Sequence, residues 1–236
     1  MNITETCLKR ETLDFLICCY FGQSKNLIKA AIDKGYTDMA AHTLKGFEKT
    51  KDGINSKWEC RFEASNIIAN SLCNYPDSKN DFKEWHEAVV QSIKSIYSKK
   101  IEFSYGQAQK WLNMTIKYLF MFKTLLERED IRLSGVQAFF ERTHVDDYYP
   151  PIDSYVLKGA ELQGTWSRFK QGEYDSIMQQ LGKERGFLWE LENWEIFSEK
   201  FSQSQSDKGS YIVFCNEHKE QANNIYLWPE GNKKKL

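Results

Sequence analysis

The stretch "YGQAQKWLNMTIKYLFMFKTLL", residues 105–126, most constrains what this chain can become. Apolar residues crowd it, at Trp111, Leu112, Met114, Ile116, Leu119 and onwards. That is the pattern of a helix enclosed in a core. Yet it carries Lys110 and Lys117, seven positions apart. Seven residues is almost two turns, so both fall near one stripe of the helix. A core helix with two cations along one stripe needs a reason for them.

The rest of the chain sets the context. At 236 residues it is long enough for one large domain or two small ones packed together. Hydrophobic residues at 41% and charged residues at 28% fit a globular protein, and 4 prolines and 13 glycines argue against an all-β chain. The net charge of −1 is unlike that of a strong polyanion binder, but a protein that meets DNA briefly needs only a local basic patch. Cys7, Cys18, Cys19, Cys60, Cys73 and Cys215 show no CxxC pair and no regular spacing, which predicts free thiols in a reducing, cytoplasmic setting. His42, His86, His144 and His218 stand in no metal-ligand spacing, so no metal is expected. No stretch reaches the length of a membrane span. The apolar run within residues 1–22 follows acidic residues and shows no cleavage pattern, so it reads as a helix of the mature protein.

Periodicity predicts a mostly α chain with helices at about 5–22, 24–34, 37–49, 57–73, 81–99, 105–126, 134–142, 153–162, 173–185 and 188–202. Ser24 reads as an N-cap, Gly35 as a helix stop, and the Asp52–Gly53 pair as a turn. "SYIVFC" (210–215) and "NIYLW" (224–228) have β character and suggest a short C-terminal β element.

Several residues are candidates for chemistry. Lys110 falls soon after a helix start at Gly106, where the partial positive charge of the helix end and burial against aromatics disfavour an ammonium. A nucleophilic lysine must be a neutral amine. The plainer alternative is a solvated or snorkelling lysine. "YYPPIDSYV", residues 148–156, is a rigid approach to a helix in which Asp153 is a good N-cap and can also be a carboxylate aimed into a cleft. His144, Asp146 and Asp147 fit no metal template. Trp111, Trp166, Trp189, Trp194 and Trp228 are either core or stacking platforms. "KK" at 99–100 and the terminal "KKKL" are either solvated or phosphate contacts. P-loop, GxGxxG and GxSxG motifs are absent from the sequence.

Taken together, a helix with lysines seven apart, then a loop, then "P-I-D-x-x-V" opening the next helix, resembles the archaeal 8-oxoguanine glycosylases, a branch of the helix-hairpin-helix DNA glycosylase superfamily. The matching residues are Lys110, Lys117, Pro151, Ile152, Asp153, Tyr155 and Val156, and the likeness covers about residues 103–162. The chain departs from that group in a longer loop, with 43 positions from Lys110 to Asp153, and in lacking a glycine hairpin of the LPGVG kind. The resemblance implies two packed helical subdomains with a cleft between them, about 1–100 plus the C-terminal helices and about 101–165. It implies a monomeric enzyme acting on DNA without a cofactor. Lys110 and Asp153 would be catalytic, and Lys117, Tyr105, Gln107, Trp111 and Tyr155 would line the substrate pocket. The base would be an oxidised guanine or a modified base of phage DNA. Two rivals stand beside it: a helical interaction module without catalysis, and a nuclease using His144, Asp146 and Asp147.

Overall fold

The computed structural model describes residues 3–76, 82–126 and 130–203. The mostly helical expectation holds: these residues form ten α-helices and four short 3-10 turns, with no strand among them. The "SYIVFC" and "NIYLW" segments lie outside the described residues.

The helices run α1 (Ile3–Phe21), α2 (Leu27–Ala40), α3 (Lys51–Cys73), α4 (Phe82–Ser98), α5 (Tyr105–Leu125), α6 (Gln137–Arg142), α7 (Ser154–Gly159), α8 (Gln171–Leu181), α9 (Phe187–Glu192) and α10 (Trp194–Gln203). Helix α5 is the centre. Sixteen of its residues are buried, and the apolar core around it is one continuous cluster from Ile17 to Phe187. Its start is a full capping box. Ser104 Oγ accepts from the Gln107 amide, and the Gln107 side chain accepts from the Ser104 amide.

Helix α2 packs along α5 at Gly35. A Cβ there would lie 2.9 Å from Thr115 Oγ1 and 3.0 Å from the Trp111 carbonyl. Gly35 is therefore a contact point inside α2, not the stop expected from sequence; α2 continues through it to Ala40. The true N-cap is Asn26, whose side chain accepts from the Lys29 amide, rather than Ser24. After Ala40 the chain leaves the helix with His42 at φ 63° and Gly46 at φ 100°, so the helix expected over 37–49 does not form. The Asp52–Gly53 pair is not a free turn. Thr50 caps α3 through the Gly53 amide and places the pair in the first helical turn.

Two glycines bring the later segments onto α5. The Gly106 amide donates to the Phe169 carbonyl at 3.0 Å, and a Cβ on Gly106 would fall 1.8 Å from the Trp166 carbonyl. Gly159 ends α7 under the ring of Phe197, which a Cβ would approach to 2.2 Å. That contact lays α10 across α7. Among the described residues, no helix is long and apolar enough to cross a membrane.

Gly106→Ala should therefore destabilise the fold by about 1–3 kcal/mol or more, the range for forced overpacking. Denaturant midpoints of the two proteins measure this; an unchanged midpoint would mean that residues 165–169 do not sit against α5.

Candidate functional site

The segment Pro150–Asp153 is buried, so its backbone polar groups need partners. Prolines 150 and 151 bring no amide hydrogens, which reduces the demand. Helix α5 meets three of the remaining groups with two amide side chains one turn apart. Gln109 Nε2 donates to the Ile152 carbonyl at 2.9 Å and Gln109 Oε1 accepts from the Ile152 amide at 3.3 Å. Asn113 Nδ2 donates to the Pro150 carbonyl at 3.3 Å and to Gln109 Oε1 at 3.0 Å. Asn113 Oδ1 is then left as the acceptor for His86 Nε2 at 2.7 Å. Only a Nε2–H imidazole satisfies that chain, and burial lowers the His86 pKa to about 4, which keeps it neutral.

This docking fixes Asp153. One carboxylate oxygen, Oδ1, accepts from the amides of Tyr155 at 2.9 Å and Val156 at 3.1 Å and caps α7. The other, Oδ2, lies 3.1 Å from Lys110 Nζ. Asp153 is thus both the cap and the carboxylate facing the lysine. Lys110 is 8% exposed and Asp153 6%, so the solvated reading of Lys110 fails. The Trp166 ring covers Lys110 Nζ at 4.4 Å, and its indole Nε1 donates to Ser154 Oγ at 3.2 Å.

Lys117, two turns further along, has its own acid. Its Nζ lies 2.6 Å from Glu190 Oε1, and the Trp194 ring covers it at 4.6 Å. Trp194 in turn stacks on Tyr155 at 5.1 Å. Glu190 is wholly buried, and its Oε2 has no hydrogen-bond partner among the described residues. Burial raises its pKa from 4.5 to about 7 against the pull of Lys117; the Asp153 charge pushes the same way as burial, and Lys110 opposes. Two lysines and two carboxylates therefore share one buried electrostatic unit beneath two tryptophans.

Of the other residues expected at the site, Trp111, Gln107 and Tyr105 do not touch the lysines, although Gln107 and Tyr105 line a cavity of about 860 Å³. Trp111 is entirely buried and donates its indole N–H to the Ile32 carbonyl in α2, so it offers no face to a ligand. Gln107 serves the α5 capping box and donates to the Thr43 carbonyl at 3.2 Å. Tyr105 is buried against Tyr174, at 5.2 Å between rings. Tyr155 remains beside the lysines through Trp194. Two cavities, of about 1040 and 860 Å³, are lined by neither Lys110 nor Asp153. His144, Asp146 and Asp147 sit on an exposed 3-10 turn, with His144 Nδ1 3.0 Å from Asp146 Oδ2. Among the described residues, no three His, Cys, Asp or Glu side chains converge as metal ligands.

Gln109, Asn113 and Glu190 escaped the sequence reading. The signal for the first two was there: an i, i+4 pair of amides beside Lys110 in an apolar helix has no use except a buried polar partner. Compared with models of known families, with curated proteins and with solved structures, the chain matches none.

Two consequences are measurable. Gln109→Leu leaves the Ile152 amide and carbonyl unpaired, a loss of about 1–3 kcal/mol for each buried group. The variant's unfolding midpoint should fall accordingly, and an unaltered one would remove the docking role. Glu190 makes stability depend on pH in an unusual direction. Its folded pKa of about 7 exceeds 4.5, so its contribution is fully present below pH 4.5 and is lost as pH rises through about 7. His86, lowered from 6.5 to about 4, acts oppositely, losing its contribution as pH falls through that window. Glu190→Gln separates the two. Denaturation from pH 5 to 8 should show the wild type losing more stability than the variant; parallel curves would refute the shift.

Proposed function

We propose that the protein is a DNA glycosylase, an N-glycosyl hydrolase with lyase activity, in which Lys110 is the nucleophile and Asp153 its carboxylate partner. The observation that carries this reading is the 3.1 Å approach of Asp153 Oδ2 to Lys110 Nζ in a buried setting, with Oδ1 locked by two amides. Such a carboxylate is held in one orientation before any substrate arrives, which is what electrostatic stabilisation in a transition state requires. The resemblance of Lys110, Lys117 and the Pro151–Ile152–Asp153 segment to the archaeal 8-oxoguanine glycosylases points the same way.

The chemistry runs as follows. Lys110 gives up a proton to Asp153 Oδ2 and meets C1′ of the flipped nucleotide as a free amine. The bond from C1′ to the base nitrogen breaks and the bond to Nζ forms. The base departs with its electron pair and takes the proton that Asp153 had accepted, which returns Asp153 to a carboxylate able to stabilise the positive charge on the sugar. Opening of the sugar ring gives a Schiff base, and loss of the proton from C2′ then expels the 3′ phosphate. Flipping costs a few kcal/mol, least for a damaged or mismatched base. In this reading the two helical subdomains flank a cleft that opens where Trp166 and Trp194 cover the lysines. Trp194, 40% exposed, and Tyr155 are the rings closest to an arriving base. The base is an oxidised guanine or a bulky modified base of phage DNA; the second would make the protein an antiviral defence enzyme.

A second reading is favoured by the near-complete burial of both lysines, each on an acid of this chain. There the pairs only hold α5, α7 and α9 together, and the protein is a helical interaction module without catalysis.

Borohydride trapping on a panel of duplexes with oxidised, deaminated or hypermodified bases separates the two. The glycosylase reading expects a covalent complex with one of them, lost in Lys110→Ala and reduced about a hundredfold or more in Asp153→Asn, the usual scale for a lost acid–base group. Base release that persists in Lys110→Ala would remove the lysine from the mechanism, and no release from any duplex would leave the module.

A further inference from the structure

The two cavities carry opposite charge. The larger is rimmed by Glu87, Asp146, Asp147, Asp175 and Glu184 against Lys83 and Lys183. The smaller, of about 860 Å³, is lined by Lys45, Lys94, Arg168 and Lys170 against one carboxylate, Glu102. A polyanion is repelled by the first rim and drawn to the second. The second also stands out against the whole chain, whose net charge is −1: its cations are gathered on one face.

These four cations come from three separate elements. Lys45 lies in the irregular stretch after α2, Lys94 on α4, and Arg168 and Lys170 beside the 3-10 turn Trp166–Arg168. None of the four forms an ion pair among the described residues, whereas Lys110, Lys117 and Arg132 each have an acid. Lys45, Arg168 and Lys170 are exposed. Ser104, Thr165 and Ser167 add hydroxyls to the lining.

The groove also adjoins the lysine site. Trp166 turns its ring over Lys110, while its neighbours Thr165, Ser167 and Arg168 line the groove. The hydrogen bond from the Gly106 amide to the Phe169 carbonyl fastens that turn to the start of α5. One short turn thus has the nucleophile on one face and the basic groove on the other.

We propose that this groove holds the sugar-phosphate backbone of the DNA strand whose base is presented to Lys110. The assignment rests on the glycosylase reading for its choice of partner. Its contacts are to phosphate and carry no sequence information.

The test is equilibrium binding of the full chain to an unmodified duplex of about 20 base pairs across a salt series, with inorganic phosphate as competitor. Each phosphate contact contributes about 0.9 to the slope of log K against log salt. The variant Lys94→Gln/Arg168→Gln/Lys170→Gln should weaken binding and reduce that slope by about 3, for any duplex sequence. Lys183→Gln, in the acidic cavity, should leave the slope as in the wild type, and circular dichroism checks that each variant is folded. A wild-type slope in the triple variant overturns the groove even if borohydride trapping succeeds, because the glycosylase reading then survives without it. A reduced slope with no base release supports the groove and sinks only the catalysis. Phosphate binding at the groove without duplex binding would make it a small-anion site and overturn the proposal.

Discussion

The docking of Pro150–Asp153 onto α5 is the constraint on which the rest depends. A buried extended segment is costly because each backbone amide and carbonyl without a partner loses about 1–3 kcal/mol. Here two prolines remove two of the donors, Gln109 takes the Ile152 amide and carbonyl, Asn113 takes the Pro150 carbonyl, and the Leu157 amide takes the Asp153 carbonyl. The direction of every bond then follows, down to the neutral His86 at the end of the chain. Because the segment cannot shift without breaking this set, Asp153 cannot shift either. The geometry of Lys110 against Asp153 is a consequence of amide side chains that never touch the lysine.

The same helix carries a second buried pair, and the two are unequal. Asp153 has two backbone amides and an ammonium, so both its oxygens are engaged. Glu190 has Lys117 on one oxygen and nothing among the described residues on the other. Desolvation wins at Glu190 and raises its carboxyl well above the usual range, to about 7. Buried pairs seldom add much stability over an apolar replacement, because the desolvation of two charges roughly offsets their attraction. Two of them side by side in the central helix are therefore a weak source of stability by themselves.

Legibility followed the range of the interactions. The bounds of α5 were readable almost to the residue from its apolar run, and the Ser104–Gln107 capping box fixes its start within one turn. The stripe of Lys110 and Lys117 was readable from helical period alone, and the cap role of Asp153 from its place after two prolines. Gly35 was misread because a glycine that ends a helix and one that lets two helices touch look alike in sequence; only Thr115 across the contact distinguishes them. Trp111 and Gln107 sit on the α5 faces turned toward α2 and toward Thr43, which residue type does not reveal.

By itself, the sequence determined a helical chain built round one apolar helix, two cations along a stripe of it, and a rigid carboxylate-bearing segment downstream. Those are local properties, set by period, capping and the fixed backbone of proline. Only the tertiary structure decided which acid meets which cation. Asp153 reaches Lys110 across 43 positions and Glu190 reaches Lys117 across 73, and no local rule spans such separations. They meet because burial of polar groups is tolerable where partners coincide, and the packed fold brings each lysine to an acid and sets Gln109 and Asn113 against the backbone of Pro150 and Ile152.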